Sequence, residues 1–149
     1  MEIDIDAPPD RVYALLADIT RMGDWSPECV RCRWIGPGGD ARPGMRFRGT
    51  SRNGWHRWST MSTVVSAEPG REFVFDVTYF RRPVARWRYA LRPNGRGGTR
   101  LTEWVEDRRD RLVRTVSPLV TGVRERGPRN DETIRTTLDR LKAAAESAA

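Results

Sequence analysis

The ionisable and nucleophilic side chains bound the chemistry open to this chain. Its single histidine, His56, rules out a histidine-based metal cluster, and no Ser-His-Asp set can be argued from spacing, because acid and nucleophile would be arbitrary picks. His56 follows Asn53-Gly54, so it belongs to a turn, either exposed or guarding the mouth of an interior pocket. Cys29 and Cys32 form a C-x-x-C, but residues three apart on a strand point to opposite faces, and no second pair completes a zinc site. Gly95, Gly97 and Gly98 serve a turn rather than a strand-to-helix phosphate loop, so no nucleotide, metal or other cofactor is expected. Glu103 is the residue that stands out. It alternates with Leu101 and Val105, which places a carboxyl on an apolar face. Desolvation raises the pKa of such a group and suits it to general acid/base work or to donating a hydrogen bond to a ligand oxygen. Tyr89, on the preceding strand, would bond the ionised form and oppose that shift. Glu103 and Tyr89 are therefore the candidate catalytic pair. The competing reading is a rim carboxyl bonded to water or a structural arginine, and a one-residue bulge would turn it outward.

These side chains need a scaffold, and the turn signals supply one. Ile3 and Ile5 alternate with acidic residues as a half-buried strand. Pro8-Pro9 then opens a short helix carrying Val12, Leu15, Leu16 and Ile19 on one face, and Met22 and Trp25 continue into a second short helix closed by Ser26-Pro27. In the middle of the chain, hairpin registers proposed from independent turns must agree about which face each residue occupies. Asn53-Gly54 as a type I′ turn sets Gly49 opposite Trp58 and Phe47 opposite Thr60. Glu68-Pro69-Gly70-Arg71 as a type II turn sets Val64 opposite Phe75 and Ser62 opposite Val77. A turn through Arg81-Arg82-Pro83 sets Phe75 against Tyr89 and Val77 against Trp87, with Asp76 facing Arg88 and Glu72 facing Arg92 on the other side. The last hairpin, through Asn94 to Gly98, brings Leu101 to Leu91, Glu103 to Tyr89 and Val105 to Trp87.

One face of this meander thus collects Phe47, Trp58, Thr60, Ser62, Ser66, Phe73, Phe75, Val77, Tyr79, Trp87, Tyr89, Leu101 and Glu103. Scattered hydroxyls among aromatic rings describe a ligand pocket better than a dry core, which excludes hydroxyls lacking partners. The face needs a cover. Ile134, Leu138, Leu141 and Ala145 form a helical apolar stripe, with Asn130, Thr133 and Thr137 beside it to present polar groups to the pocket. Ser117-Pro118 reads as the start of this C-terminal helix and Gly127-Pro128 as a kink or restart.

Composition narrows the partners. A chain of 149 residues holds one core, so residues 1–149 are read as a single domain. The net charge of +7 invites a nucleic-acid reading, yet of 27 basic residues only Lys142 is a lysine, and the arginines are spread along the chain beside acidic residues. That is a solvated sheet face rather than a phosphate-binding stripe, although Arg108 to Arg129 keeps an interaction module as a minor alternative. No run of about 18 apolar residues spans a membrane, no leader precedes Glu2-Ile3-Asp4-Ile5-Asp6, and the two cysteines build no disulfide framework. A cytoplasmic home is expected, as monomer or homodimer.

The phrases Ile5-Asp6-Ala7-Pro8-Pro9-Asp10-Arg11-Val12-Tyr13-Ala14-Leu15-Leu16, Trp25-Ser26-Pro27, Pro43-Gly44-Met45-Arg46-Phe47, Gly98-Thr99-Arg100-Leu101-Thr102-Glu103 and Leu138-Asp139-Arg140-Leu141-Lys142 resemble the START-like superfamily, in particular its polyketide cyclase/dehydrase branch. The resemblance covers essentially the whole chain. It implies the α+β helix-grip fold: a curved seven-stranded antiparallel sheet around a long C-terminal helix, with two short helices after the first strand. Related plant hormone receptors carry a similar Glu on the last strand, facing the cavity. Family members include lipid carriers, hormone receptors and aromatase/cyclases, so the resemblance is specific about fold and not about function. The expected function is binding of a hydrophobic or aromatic small molecule, of polyketide, lipid or isoprenoid type. The alternative is a metal-independent polyketide cyclase/dehydratase in which Glu103 and pocket tyrosines move protons.

Overall fold

Short alternating runs punctuated by Gly, Pro and Asn turns become seven antiparallel strands, and the two helical patterns at the chain ends become the cover over one face of the sheet. A computed structural model describes residues 1–147. The strands are β1 (Glu2–Ile5), β2 (Cys29–Trp34), β3 (Arg46–Asn53), β4 (His56–Glu68), β5 (Glu72–Tyr79), β6 (Arg82–Pro93) and β7 (Thr99–Asp107), in the spatial order β1-β7-β6-β5-β4-β3-β2. Between β1 and β2 lie α1 (Pro9–Ala17), a single 3₁₀ turn (Ile19–Arg21) and α2 (Met22–Trp25); α3 (Arg111–Thr121) and α4 (Arg126–Ser147) follow β7. This is the expected helix-grip α+β arrangement.

The proline pair starts α1 as read, and Val12, Tyr13 and Leu16 bury its inner face. Ile134, Leu138, Leu141 and Ala145 of α4 are all at most 4% exposed. At roughly 1.5 to 3 kcal/mol for each large side chain fully buried, this stripe is a main bond between helix and sheet. Polar ties set its position, since Lys142 Nζ donates to the Asp4 carbonyl and the Asp6 N–H donates to Glu146.

Two registers needed correction, each for a local reason. The β3–β4 turn is made by Gly54 and Trp55, with Gly54 alone at positive φ (60°), so Asn53 pairs with His56 and Gly49 with Thr60. That is the type II′ signature rather than I′. The β5–β6 turn falls on Phe80 and Arg81, both at positive φ (48° and 65°), not on Arg81-Arg82-Pro83. Phe75 therefore opposes Trp87, Phe73 opposes Tyr89, and Asp76 meets Arg86 in two hydrogen bonds of 2.6 and 2.8 Å instead of meeting Arg88. Glu72 lies opposite Ala90 rather than Arg92 and accepts from Ser66. Both slips amount to two residues, which preserves the side-chain face. The inner wall survived the errors for that reason. The β6–β7 register is as read, with Tyr89 opposite Glu103 and Leu91 opposite Leu101.

Extra residues at Val30 in β2, Val65 in β4 and Val84 in β6 bend the sheet. The helix starts also differ from expectation. Ser117-Pro118 lies inside α3, which begins instead at Asp110, whose carboxylate accepts the Val113 N–H at 2.9 Å. Gly122, in the left-handed conformation (φ 71°), ends α3 four residues before α4.

Candidate functional site

Curvature of the sheet around α4 leaves a cavity of about 180 Å³. Its aromatic wall comes from β3 to β6: Phe47, Trp58, Phe75, Trp87 and Tyr89, with Val77 among them. Phe75 is the hub of this wall, with its ring centre 5.3 Å from Phe47, 5.7 Å from Phe73 and 6.4 Å from Tyr89. Such ring pairs add about 0.5–1.5 kcal/mol beyond their buried area, so the wall is stiff. Thr60 and Ser62 place hydroxyls on the same side, and Asn130, Thr133 and Thr137 of α4 face them across the space. The Thr137 hydroxyl is taken by the Thr133 carbonyl (2.8 Å), which leaves the hydroxyl oxygen free only as an acceptor.

Three expected pocket residues lie elsewhere. Leu101 and Ile134 belong to the packed core behind the wall, where neighbouring side chains cover them on all sides. Tyr79, at the end of β5 where an extra residue at Val84 of β6 shifts the pairing, lines a second cavity of about 310 Å³. That chamber lies between β4, β5 and β6 and the apolar side of α3, which contributes Leu112, Val113, Val116 and Val120. The two cavities share Trp58, Thr60, Val84, Arg109, Ser117 and Thr121, so they adjoin. His56 lines neither of them. It stacks on Trp55 at 4.0 Å and sits against Gly122, where a Cβ would come within 2.6 Å of its Nδ1. Ser66 has likewise turned away and donates to Glu72.

Glu103 lies where the alternation puts it. It is 1% exposed, and its Oε2 is buried without any hydrogen-bond partner among the described residues. Burial pushes its carboxyl up to about 8, against the opposing pulls of the Tyr89 hydroxyl and the N-terminal ammonium. Tyr89 is driven well above its ordinary range, by burial first and by the adjacent Glu103 second. At neutral pH the site therefore presents a protonated carboxyl beside a protonated phenol, both donors, at the end of an aromatic slot.

A second buried carboxyl lines the same cavity, and the sequence reading passed it over. Glu28, 7% exposed, accepts from Arg126 (3.2 and 3.3 Å) and from Arg129 Nε (2.9 Å), and so ties the entry to β2 to the start of α4. The signal that could have found it was the Arg126-x-x-Arg129 pair on a helix face needing an acid. The thiols of Cys29 and Cys32 also line the cavity. The bulge at Val30 puts both on one side, with Sγ atoms 3.4 Å apart, which corrects the expectation of opposite faces. Among the described residues no helix is long and apolar enough to cross a membrane.

The architecture is matched by solved structures. The START superfamily protein from Mycobacterium smegmatis superposes with a TM-score of 0.72 at 15% identity, over 100% of this chain and 97% of that one. One half of the di-domain ARO/CYC StfQ of the steffimycin biosynthetic pathway matches with a TM-score of 0.69 at 13% identity, covering 98% of this chain and 44% of that one. The polyketide-cyclase-like protein from Corynebacterium glutamicum shares 33% identity over 97% of this chain and 79% of that one, with a TM-score of 0.53. No curated protein matches the chain. The model of one family, polyketide cyclase / dehydrase and lipid transport, matches residues 1–146, so the chain belongs to that family.

Proposed function

We propose that this chain binds a hydrophobic small molecule carrying polar oxygens, of polyketide, aromatic or isoprenoid type, in the cavity between the sheet and α4. The observation that carries the reading is the unpartnered Oε2 of Glu103 inside an aromatic slot. A buried polar atom without a partner costs about 1–3 kcal/mol, and a ligand oxygen placed there would recover it. The rings of Phe47, Trp58, Phe75 and Trp87 take the carbon skeleton, while Glu103 and Tyr89 donate to a carbonyl or hydroxyl oxygen. A plain acyl chain makes no use of these donors, which favours an oxygenated ligand.

Native mass spectrometry of protein purified without denaturant tests the reading directly, by revealing a copurified small molecule. A thermal-shift panel complements it. Oxygenated aromatic probes should raise the melting temperature more than fatty acids of equal carbon number, and Glu103→Gln should keep most of that binding. No shift with any probe would overturn the proposal.

A second reading rests on the same pair. A protonated carboxyl and a phenol at one end of a water-poor slot can act as general acids toward the carbonyl oxygen of a folded poly-β-ketone, giving a cyclase/dehydratase. Glu103→Gln then abolishes turnover while retaining affinity; unchanged product formation removes Glu103 from any mechanism.

A further inference from the structure

A C-x-x-C pair on a regular strand cannot bring its sulfurs together, because alternate side chains leave on opposite faces. Here the bulge at Val30 inserts one residue between Cys29, paired with Ser51, and Arg31, paired with Thr50. Both cysteines then face the cavity, with Sγ atoms 3.4 Å apart, and Met22 from α2 brings its Sδ to 3.7 Å from Cys32 Sγ. We propose that Met22, Cys29 and Cys32 form a three-sulfur binding site for a soft monovalent cation, Cu(I).

The geometry is close to a chelate. Sulfur donors about 2.3 Å from a metal lie about 3.8–4.0 Å from one another at tetrahedral to trigonal angles. The two observed separations, 3.4 Å between the cysteines and 3.7 Å from Cys32 to Met22, fall short of that by about half an ångström or less. Side-chain rotation in a cavity wall supplies such a movement. The neighbouring strand leaves room for it, because Gly49 stands beside Cys32, and a Cβ at that position would touch Sγ at 3.4 Å.

Donor type selects the ion. Two cysteines and a thioether are soft ligands, which suit Cu(I) and not the hard divalent cations that take carboxylates. No group of three or more His, Cys, Asp or Glu side chains is placed to hold a metal among the described residues, and the nearest acid in sequence, Glu28, is already held by Arg126 and Arg129. Charge also balances. Binding forms Cu–S bonds to the two cysteine sulfurs and the Met22 thioether and releases the proton of one cysteine thiol, with no electron transferred. One thiolate and one monovalent cation leave the apolar wall neutral.

The reduced full chain, titrated anaerobically with Cu(I) against a chromophoric Cu(I) chelator, should take up one ion. Native mass spectrometry with Ag(I) should show the same 1:1 complex. Cys29→Ser and Cys32→Ser should each lose that complex, and Met22→Leu should weaken it. X-ray absorption on the loaded wild-type chain should find three sulfur scatterers at about 2.3 Å and needs no variant to fold. The proposal is overturned if Cys32→Ser binds as well as wild type, which would mean an adduct on one thiol. It fails equally if nitrogen or oxygen scatterers replace sulfur, or if the chelator keeps all the Cu(I).

Discussion

Glu28 and Glu103 are carboxyls buried in the wall of one cavity, and they have opposite fates. Glu28 is held by two arginines from α4 and fastens β2 to the helix that covers the sheet. Glu103 has an apolar strand face around it, a phenol beside it and a free Oε2, so it stays protonated. Burial is nearly equal for the two, which makes the partner, not the exposure, decide what a buried carboxyl does. One is a structural clamp. The other is an unspent donor facing the space a ligand would fill.

The largest separation between them should be in pH dependence. Glu103 has an ordinary value of 4.5 when unfolded and about 8 when folded. Between those limits the native chain holds a proton that the unfolded chain has released, so stability falls as pH rises. The contribution is fully present below 4.5 and lost on passing 8. At about 1.36 kcal/mol per unit, the loss is on the order of 5 kcal/mol. Urea unfolding at pH 5 and at pH 8.5 should show the wild type weakening steeply relative to Glu103→Gln, which has no proton to lose. Parallel profiles for the two would place Glu103 in contact with water. Glu28→Gln is the next largest effect. It leaves Arg126 and Arg129 half-buried with a neutral partner and should cost about 2 kcal/mol. A loss that vanished in wild-type buffer and appeared only at low salt would reduce the clamp to a surface pair.

How much of this contrast was legible depends on where its causes lie in the chain. Glu103 was found because alternation in β7 and the Asn94–Gly98 turn are local, and the β6–β7 register followed from them without error. The inner face of β3 to β5 was found despite two wrong turns, since both slips were even. The bulge at Val30 carries no glycine, asparagine or proline to announce it, so the cysteines were assigned to opposite faces. The irregularity at Val84 of β6 did have a flag, the adjacent Pro83, which a turn assignment absorbed. The turn at Phe80-Arg81 uses left-handed backbone in residues that avoid it at a cost of about 1–2 kcal/mol each, which no residue preference could suggest. Glu28 was missed because its partners lie 98 and 101 residues away. The start of α3 was a readable error, since Asp110 is an ordinary N-cap ahead of Leu112, Val113, Val116 and Val120.

The finest test of the contrast concerns how Glu103 is tuned. Tyr89 stabilises the ionised carboxylate and so pulls Glu103 down against the effect of burial. Tyr89→Phe removes that pull and keeps the ring that stacks on Phe75. The Glu103 midpoint should therefore rise above its wild-type value, by about one unit or less, as expected for the loss of one hydrogen-bonding partner. Infrared titration of the carboxylic C=O stretch reads this directly, with Glu103→Gln identifying the band. The sign is what discriminates. A rise means that the phenol donates to the carboxylate in the empty site, so a ligand oxygen entering between them must compete with that contact. An unchanged midpoint means that the phenol points into the cavity and is already free to meet the ligand, leaving burial and the N-terminal ammonium as the groups that set the titration of Glu103.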